Sequence, residues 1–117
     1  MSMVTTPYIG YVKFDLTGKW RTAEVMALLD TMRANADALE CNRVLVDVRH
    51  ADGTAPVGDR VDMGVKVAED FGARYRIAVL DNPEHVTNLF KYTAVSRGAV
   101  VNILTAEPAA VAWLMEQ

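Results

Sequence analysis

The chain of 117 residues is poor in features that would place it in a specialised class of protein. It has one cysteine, Cys41, which excludes an internal disulfide and a cysteine zinc cluster. No apolar run is long enough to span a bilayer. The opening stretch MSMVTTPYIG lacks the basic region and apolar run of a secretory signal. We therefore expect a cytoplasmic protein that does not span a membrane.

The charge pattern argues against a nucleic-acid partner. The net charge is −3, and the Lys and Arg residues form no block that would bind a phosphate backbone. Apolar residues make up 51% of the chain and charged residues 23%, which is the balance of a folded domain rather than a disordered segment. At this length we predict a single domain over residues 1–117.

Catalytic motifs are also missing. The sequence has no P-loop, no dinucleotide-binding glycine fingerprint and no nucleophile elbow. Cys41 follows the first predicted helix, at the opposite edge of the sheet from the predicted positions of the two histidines, so a Cys-His nucleophile is not indicated. We predict a protein that is not an enzyme, with no catalytic residues and no cofactor.

Strand-like and helix-like patterns alternate along the whole chain. Strands are predicted at 8–16, 44–48, 77–80 and 100–104, and helices at 22–39, 56–71, 82–97 and from 105 onward. The first strand alternates, with Val12, Phe14 and Leu16 on one face, which is typical of a half-exposed strand near an edge. The other three are continuous apolar runs, which is typical of strands covered on both faces. In the second helix, the residues predicted to face inward are Val57, Val61, Val65 and Ala68.

A helix between each pair of strands favours parallel pairing with right-handed crossovers. The loops after Val48, Leu80 and Leu104 then lie at one edge of the sheet. Ligand sites in open α/β sheets usually lie at this carboxyl edge. We therefore look for function there.

Five segments, in this order, carry a family resemblance: FDLTGKW, VLVDVRHADG, YRIAVLDNPE, SRGAVVNIL and AAVAWL. The chain resembles the SpoIIAA-like fold of the STAS domains, and within it the small stand-alone bacterial proteins called STAS/SEC14-like. The resemblance implies an α/β fold with a four- to five-stranded, mostly parallel sheet and four helices. It also implies a protein partner, and a Ser or Thr phosphorylated at the start of the helix after a central strand. The stand-alone members imply a small or lipid-like ligand instead.

The candidate switch or ligand loop is Asp52, Gly53 and Thr54, with Asp59 in the following helix. By resemblance, Asp52 matches the acid and Thr54 the phosphate acceptor of the family pattern, whereas Gly53 and Ala55 depart from it. From its own chemistry, Thr54 is predicted foremost as a helix N-cap. The alternatives are a phosphate acceptor, whose added charge beside the nearby acids would repel an acidic partner, and a ligand contact.

A second group of polar residues is predicted at the edge of a pocket: Asp47, His50, Asp81 and His85. They follow or end strands at the carboxyl edge of the sheet. Their spacing specifies no metal site, and we predict none. Because Asp47 lies within an apolar strand, we expect it to pair with Arg49 or a nearby loop amide rather than act as a catalytic acid.

Apolar side chains leave two further alternatives open. The sulfur-containing and indole side chains either line a pocket for an apolar ligand or, as we favour, fill the core: Met26, Met32, Met63, Met115, Trp20 and Trp113. The first strand, with Tyr8, Ile9 and Tyr11, offers an edge for pairing with a second copy, so homodimerisation is plausible.

The main prediction is a regulatory protein-interaction module with a switch at Asp52–Thr54 and an unidentified protein partner. The alternative is a domain that binds a small or lipid-like ligand at the carboxyl edge of the sheet.

Overall fold

A computed structural model describes residues 1–116. Within them the chain forms six strands and four α-helices. The strands are β1 (Ser2–Pro7), β2 (Val12–Lys19), β3 (Arg43–Asp47), β4 (Ala51–Asp52), β5 (Arg76–Leu80) and β6 (Val100–Leu104). The helices are α1 (Thr22–Ala38), α2 (Val57–Phe71), α3 (Leu89–Ser96) and α4 (Glu107–Leu114). The predicted α/β class is therefore confirmed.

The main sheet has the strand order β1-β2-β3-β5-β6. The first pair is antiparallel and the others are parallel, which confirms the mostly parallel arrangement. The two-residue strand β4 pairs with the end of β2, so that Gly18 lies opposite Ala51. No helix within residues 1–116 has the length and apolar character needed to cross a bilayer.

The prediction of the first strand was wrong at its start. Residues 8–11 form the turn of a hairpin, in which the amide of Tyr8 donates to the carbonyl of Tyr11 at 2.9 Å. Gly10 has φ +89°, a conformation that glycine adopts without strain. The strand begins at Val12, and β1, which was not predicted, covers its outer side. The proposed pairing edge at Tyr8, Ile9 and Tyr11 is thus a turn, and the outer edge belongs to β1.

The helices are close to prediction except for the third. A 3₁₀ turn at Pro83–His85 is followed by extended backbone at Val86, with ψ 122°, and α3 begins only at Leu89. The extended residue breaks the hydrogen-bond ladder that a continuous helix from residue 82 requires.

The second helix is also rotated relative to its predicted inward face. Val57 is 70% exposed, and the buried stripe consists of Met63, Gly64, Val67, Ala68 and Phe71.

The sheet separates two cores of unequal size. Helices α1, α2 and α3 cover one face, where Val12, Phe14 and Leu16 are fully buried as predicted. Helix α4 covers the other face, where its residues Ala110 and Leu114 pack against three buried strand residues, Leu45, Ala78 and Leu80. We call these the α1–α3 face and the α4 face.

Candidate functional site

An apolar cavity of about 90 Å³ lies within the α1–α3 face and opens at the carboxyl edge of the sheet. Its inner wall comes from helices α1 and α2 and from strands β3 and β5. Side chains in this wall are almost completely buried: Met32, Val44, Val67, Phe71 and Ile77. The loops after β3 and β5 form its mouth, so the cavity lies at the edge where the strand order predicts a ligand site.

The mouth of the cavity is the polar part of its lining. The polar side chains here are Thr54, Arg60, Asp81, His85 and Thr87. An apolar interior with a few polar groups at one end is the usual arrangement of a small-molecule site. Thr54, Asp81 and His85 were singled out in the sequence, whereas Arg60 and Thr87 were not.

Arg60 joins the two loops that flank the mouth. Its Nε donates to the carbonyl of Ala55 at 2.9 Å, and its Nη2 donates to the Thr54 hydroxyl at 3.3 Å. Its Nη1 donates to the carbonyl of His85 at 3.0 Å and to the Thr87 hydroxyl at 2.7 Å. These bonds tie the segment before α2 to the segment between β5 and α3. We call this arrangement the Arg60 clasp.

The spacing of residues in α2 could have indicated that Arg60 lies on the buried side of the helix, but the inward face was predicted at other positions. Arg60 precedes Met63 by three residues and Val67 by seven, so it continues the buried stripe of the helix. An arginine on an apolar stripe needs hydrogen-bond acceptors at its head, and the neighbouring loop oxygens supply them.

Thr54 is not a helix N-cap, so its foremost predicted role was wrong. Helix α2 starts at Val57, and its N-cap is Pro56, with no side-chain capping bond. Ala55 is 4% exposed and precedes a proline, which disfavours helical backbone at that position. The helix therefore starts three residues after Thr54, and the half-buried Thr54 hydroxyl bonds to Arg60 instead of to a first-turn amide.

The preceding residues of the loop are exposed but held in place by the backbone. The amide of Trp20 donates to the carbonyl of Asp52 at 2.8 Å, which extends the β2–β4 pairing. Gly53 then turns the chain with φ +100°, a conformation that side chains rarely adopt. The Asp52 carboxylate is left in solvent beside Thr54.

Asp59 is engaged in a contact between the starts of α1 and α2. The Thr22 hydroxyl donates to its Oδ2 at 2.7 Å, and the same hydroxyl accepts from the Trp20 indole at 3.0 Å. As an acid in the first turn, Asp59 also lies at the favourable end of the helix dipole. The structure does not bring it into the mouth of the cavity.

Asp81 and His85 lie together at the mouth. Asp81 Oδ1 accepts from the amide of Asn82 at 2.8 Å, and His85 Nδ1 lies 3.8 Å from the same oxygen. Burial raises the pKa of the Asp81 carboxyl above its usual value, against the opposing effects of the Asn82 amide hydrogen bond and of the neighbouring His85 and Arg60 side chains.

The other two residues predicted at the pocket edge lie elsewhere. His50 is exposed in the turn after β3, and Asp47 lies on the α4 face, on the opposite side of the sheet from the cavity. Since side chains alternate along a strand, Asp47 shares its face with Leu45, whereas Val44 and Val46 line the cavity.

Asp47 is 1% exposed and is paired as predicted. The Arg49 guanidinium contacts both carboxylate oxygens, at 3.1 and 2.9 Å, and the Arg49 amide adds a bond at 3.0 Å. Burial alone would raise the pKa of Asp47, but the hydrogen bonds and charge of Arg49 hold it below its usual value of 3.8. An ionised, fully paired carboxylate of this kind is a structural group.

Further charges of the α4 face extend this pairing into a network. Lys13 Nζ lies 3.0 Å from Glu107 and 3.7 Å from Asp47, and Arg49 Nη2 lies 3.3 Å from Glu107. The network joins β2, β3 and the first turn of α4. We call it the Asp47 network.

The sulfur and indole side chains divide between the two faces. Trp20, Met32 and Met63 line the cavity, whereas Trp113 packs beneath the Arg76 guanidinium at 3.9 Å on the α4 face. Three of the six side chains therefore line the cavity, and two of these, Met32 and Met63, also belong to the buried core. Within residues 1–116, no three His, Cys, Asp or Glu side chains are grouped closely enough to hold a metal ion.

Comparison with known proteins identifies the fold. No family model matches the chain, and no curated protein matches it. A solved anti-sigma factor antagonist from Mycobacterium paratuberculosis superposes with a TM-score of 0.70 at 12% identity, covering 98% of this chain and 94% of its own. An uncharacterised protein with a SpoIIAA-like fold from Shewanella loihica gives a TM-score of 0.48 at 18% identity, covering 97% and 92%. The similarity to the anti-sigma factor antagonist confirms the predicted SpoIIAA-like (STAS) fold.

Proposed function

We propose that this chain is a non-enzymatic protein-interaction module. The observation that carries the proposal is the fold, which it shares over 98% of its length with an anti-sigma factor antagonist. That neighbour's role supports a regulatory protein partner, and we propose one of the anti-sigma-factor class.

The proposed docking surface consists of the loop at residues 52–56, Val57 and the outer side of α3. Val57 is 70% exposed, and on α3 the side chains of Tyr92 and Val95 are 73% and 46% exposed. Both helices start at the carboxyl edge, where the Arg60 clasp joins their leading segments. Exposed apolar and aromatic side chains next to a polar loop are typical of a protein interface.

Helices α2 and α3 are fixed relative to each other by a close contact. A Cβ at Gly64 would lie 2.8 Å from Thr93 Cβ and 2.9 Å from the carbonyl oxygen of Phe90, closer than real Cβ contacts. Only glycine permits this approach. This packing sets the positions of α2 and α3 relative to each other before a partner binds, which lowers the entropic cost of association.

Thr54 is the proposed switch within this surface. A phosphate there would carry nearly two negative charges next to the exposed Asp52 and would be a stronger acceptor for Arg60 than the present hydroxyl. Arg60 would then turn toward the phosphate and weaken its bonds to His85 and Thr87. Phosphorylation would thus change both the charge of the docking surface and the position of the segment before α3.

Capture from an extract of the protein's own cells tests the docking surface. Immobilised wild-type chain should retain a protein of the anti-sigma-factor class, identified by mass spectrometry. Val57→Asp and Tyr92→Asp should each reduce capture about tenfold or more, since each places a charge in an apolar contact. Ala112→Asp, an exposed position on α4, is the matched control and should retain full capture. Equal loss in all three variants would contradict the proposal.

Two substitutions of Thr54 test the switch separately. Thr54→Glu should abolish capture of the same protein, because it adds a negative charge, whereas Thr54→Val should leave capture unchanged. If the two variants behave alike, the switch is refuted. The docking surface is then judged only by the capture test with the Val57, Tyr92 and Ala112 variants.

Ligand binding is a second candidate function, and the apolar cavity with its polar mouth favours it.

A further inference from the structure

We propose that the cavity is a binding site for a short, unbranched aliphatic carboxylate, with the chain in the apolar interior and the carboxylate on Arg60. The proposal deepens the ligand-binding candidate. The site shares Thr54 with the proposed docking surface, but its test needs no protein partner. The proposal rests on three features: the chemistry of the inner wall, the volume, and the charge at the mouth.

The inner wall of the cavity contains no polar side chain that could hydrogen-bond to a ligand. It is formed by valine, methionine, phenylalanine and isoleucine side chains of helices α1 and α2 and of the central strands. A water molecule placed there would lack the two to four hydrogen-bond partners that a buried water needs, so the interior is expected to be dry. Filling it with methylene groups is favourable, because each removes apolar surface from water without stranding a polar group.

The volume limits the length of the chain. An apolar cavity of about 150 Å³ accepts benzene, and this one is about 90 Å³ and opens to solvent at one end. A narrow alkyl chain suits it better than a ring. We expect the best fit for acids of about four to six carbon atoms, whose chains end inside while the carboxylate stays at the mouth.

The charge at the mouth selects the head group. Arg60 donates only to neutral oxygens, the carbonyls of Ala55 and His85 and the hydroxyls of Thr54 and Thr87. None of the ion pairs within residues 1–116 includes it. These bonds use four of the five N–H groups of Arg60, so one N–H of Nη2 is left to donate to a carboxylate.

Asp81 at the same mouth is the charge that opposes an anion. Its carboxylate lies in the wall near His85, and burial raises its pKa. The nearby His85 and Arg60 side chains act in the opposite direction and lower the pKa of Asp81. Replacing Asp81 by the neutral isostere should therefore strengthen binding of a carboxylate, which gives the proposal a gain-of-binding test.

Titration of the isotopically labelled full chain by NMR tests the ligand class. Hexanoate and butanoate should shift amide resonances of residues around the cavity, including Thr54, Arg60 and His85, in a saturable way. Hexan-1-ol has the same chain without the charge, and its affinity should be at least about tenfold lower than that of hexanoate. Decanoate, whose chain exceeds the cavity, and vesicles of phosphatidylglycerol should bind more weakly than hexanoate. Tighter binding to the vesicles would assign the site to a lipid and overturn the free acid as its ligand.

Variants separate a binding site from a structural void. Arg60→Gln should weaken hexanoate binding about tenfold while leaving hexan-1-ol unaffected, and Asp81→Asn should strengthen hexanoate binding. Val79→Leu, which adds a methylene group to the cavity wall, should abolish binding of both probes while the protein stays folded. Val111→Leu on the α4 face adds the same group outside the cavity and should bind hexanoate as the wild type does. Equal affinity of wild type and Val79→Leu, or no saturable shifts with any acid, would overturn the proposal.

Discussion

The two faces of the central sheet differ in how their charged and apolar side chains are packed. The α4 face has a small apolar core and places five charged side chains next to it: Lys13, Asp15, Asp47, Arg49 and Glu107. The α1–α3 face has the larger core, yet it leaves a cavity and an arginine without an ion pair. The first arrangement satisfies its charges internally, whereas the second leaves apolar space and positive charge available. We therefore propose that the α4 face serves stability and that the α1–α3 face carries the function.

The largest effect is expected at the centre of the α4 face. Asp47→Asn leaves Arg49 and Lys13 without their shared buried partner, and it should lower the free energy of unfolding by about 3 kcal/mol. Urea denaturation measures this. Asp15→Asn, which removes a half-exposed partner of the same lysine, should cost less than about 1 kcal/mol. Equal losses in the two variants would show that the Asp47 network is not centred on Asp47.

The difference in stability between wild type and Asp47→Asn is predicted to depend on pH. The folded-state pKa of Asp47 lies below its usual value, so its contribution to stability is present above about pH 4 and is lost as the pH falls through the folded-state pKa. The stability difference between wild type and Asp47→Asn should therefore shrink below about pH 4. A difference that grows on acidification would have the wrong sign for an ion-paired aspartate.

The next largest effect is expected at the contact between α2 and α3. Gly64→Ala places a Cβ against the Phe90 carbonyl and the Thr93 side chain, so the helices must separate, at a cost of about 2 kcal/mol. Gly58→Ala is the matched control in the same helix, since a Cβ there meets nothing within 4 Å. It should be neutral or slightly stabilising because alanine is the better helix former. Circular dichroism melts of the two variants would distinguish them.

A pair of neighbouring residues on β5 compares the packing of the two faces directly. Ala78 is fully buried on the α4 face, so Ala78→Val should overpack that core and cost about 1 to 3 kcal/mol. Val79 lines the cavity, so Val79→Leu should be neutral or stabilise by up to about 1 kcal/mol. If both substitutions lower the free energy of unfolding equally in urea, the cavity on the α1–α3 face has no room for an added methylene group.

The smallest effect is expected at Thr54. Its hydroxyl accepts one long hydrogen bond from Arg60 and caps no helix, so Thr54→Ala should cost only a few tenths of a kcal/mol. An N-cap substitution would cost about 1 kcal/mol. Thermal unfolding separates these values. A loss of about 1 kcal/mol would show that Thr54 caps helix α2 after all.

The sequence predicts the fold well because its strands and most of its helices have strong local patterns. Continuous apolar runs mark β3, β5 and β6, and the alternation of β2 places its buried face correctly. The hairpin strand β1 was missed because half of its residues are exposed and it has no continuous apolar run. Its pairing with β2 is a tertiary contact that local patterns do not reveal.

The site was less predictable, because it depends on how elements pack. The carboxyl-edge rule located the mouth and placed Asp81 and His85 there, but it also placed Asp47 there, which lies on the other face. A shift of one residue along a strand decides the face, and the rule does not include that alternation. Arg60 was missed because the inward face of α2 was predicted from its valines, whereas the packed stripe uses Met63, Val67 and Phe71.

The most direct test of the account is photo-crosslinking of the chain in its own cells, with a photoreactive residue at Val57 on the proposed docking surface or at Ala112 on α4. We predict a discrete adduct with a protein of the anti-sigma-factor class from position 57, which is lost when Thr54→Glu is added, and no such adduct from position 112. An adduct of equal yield from position 112, or from 112 alone, would contradict the assignment of function to the α1–α3 face.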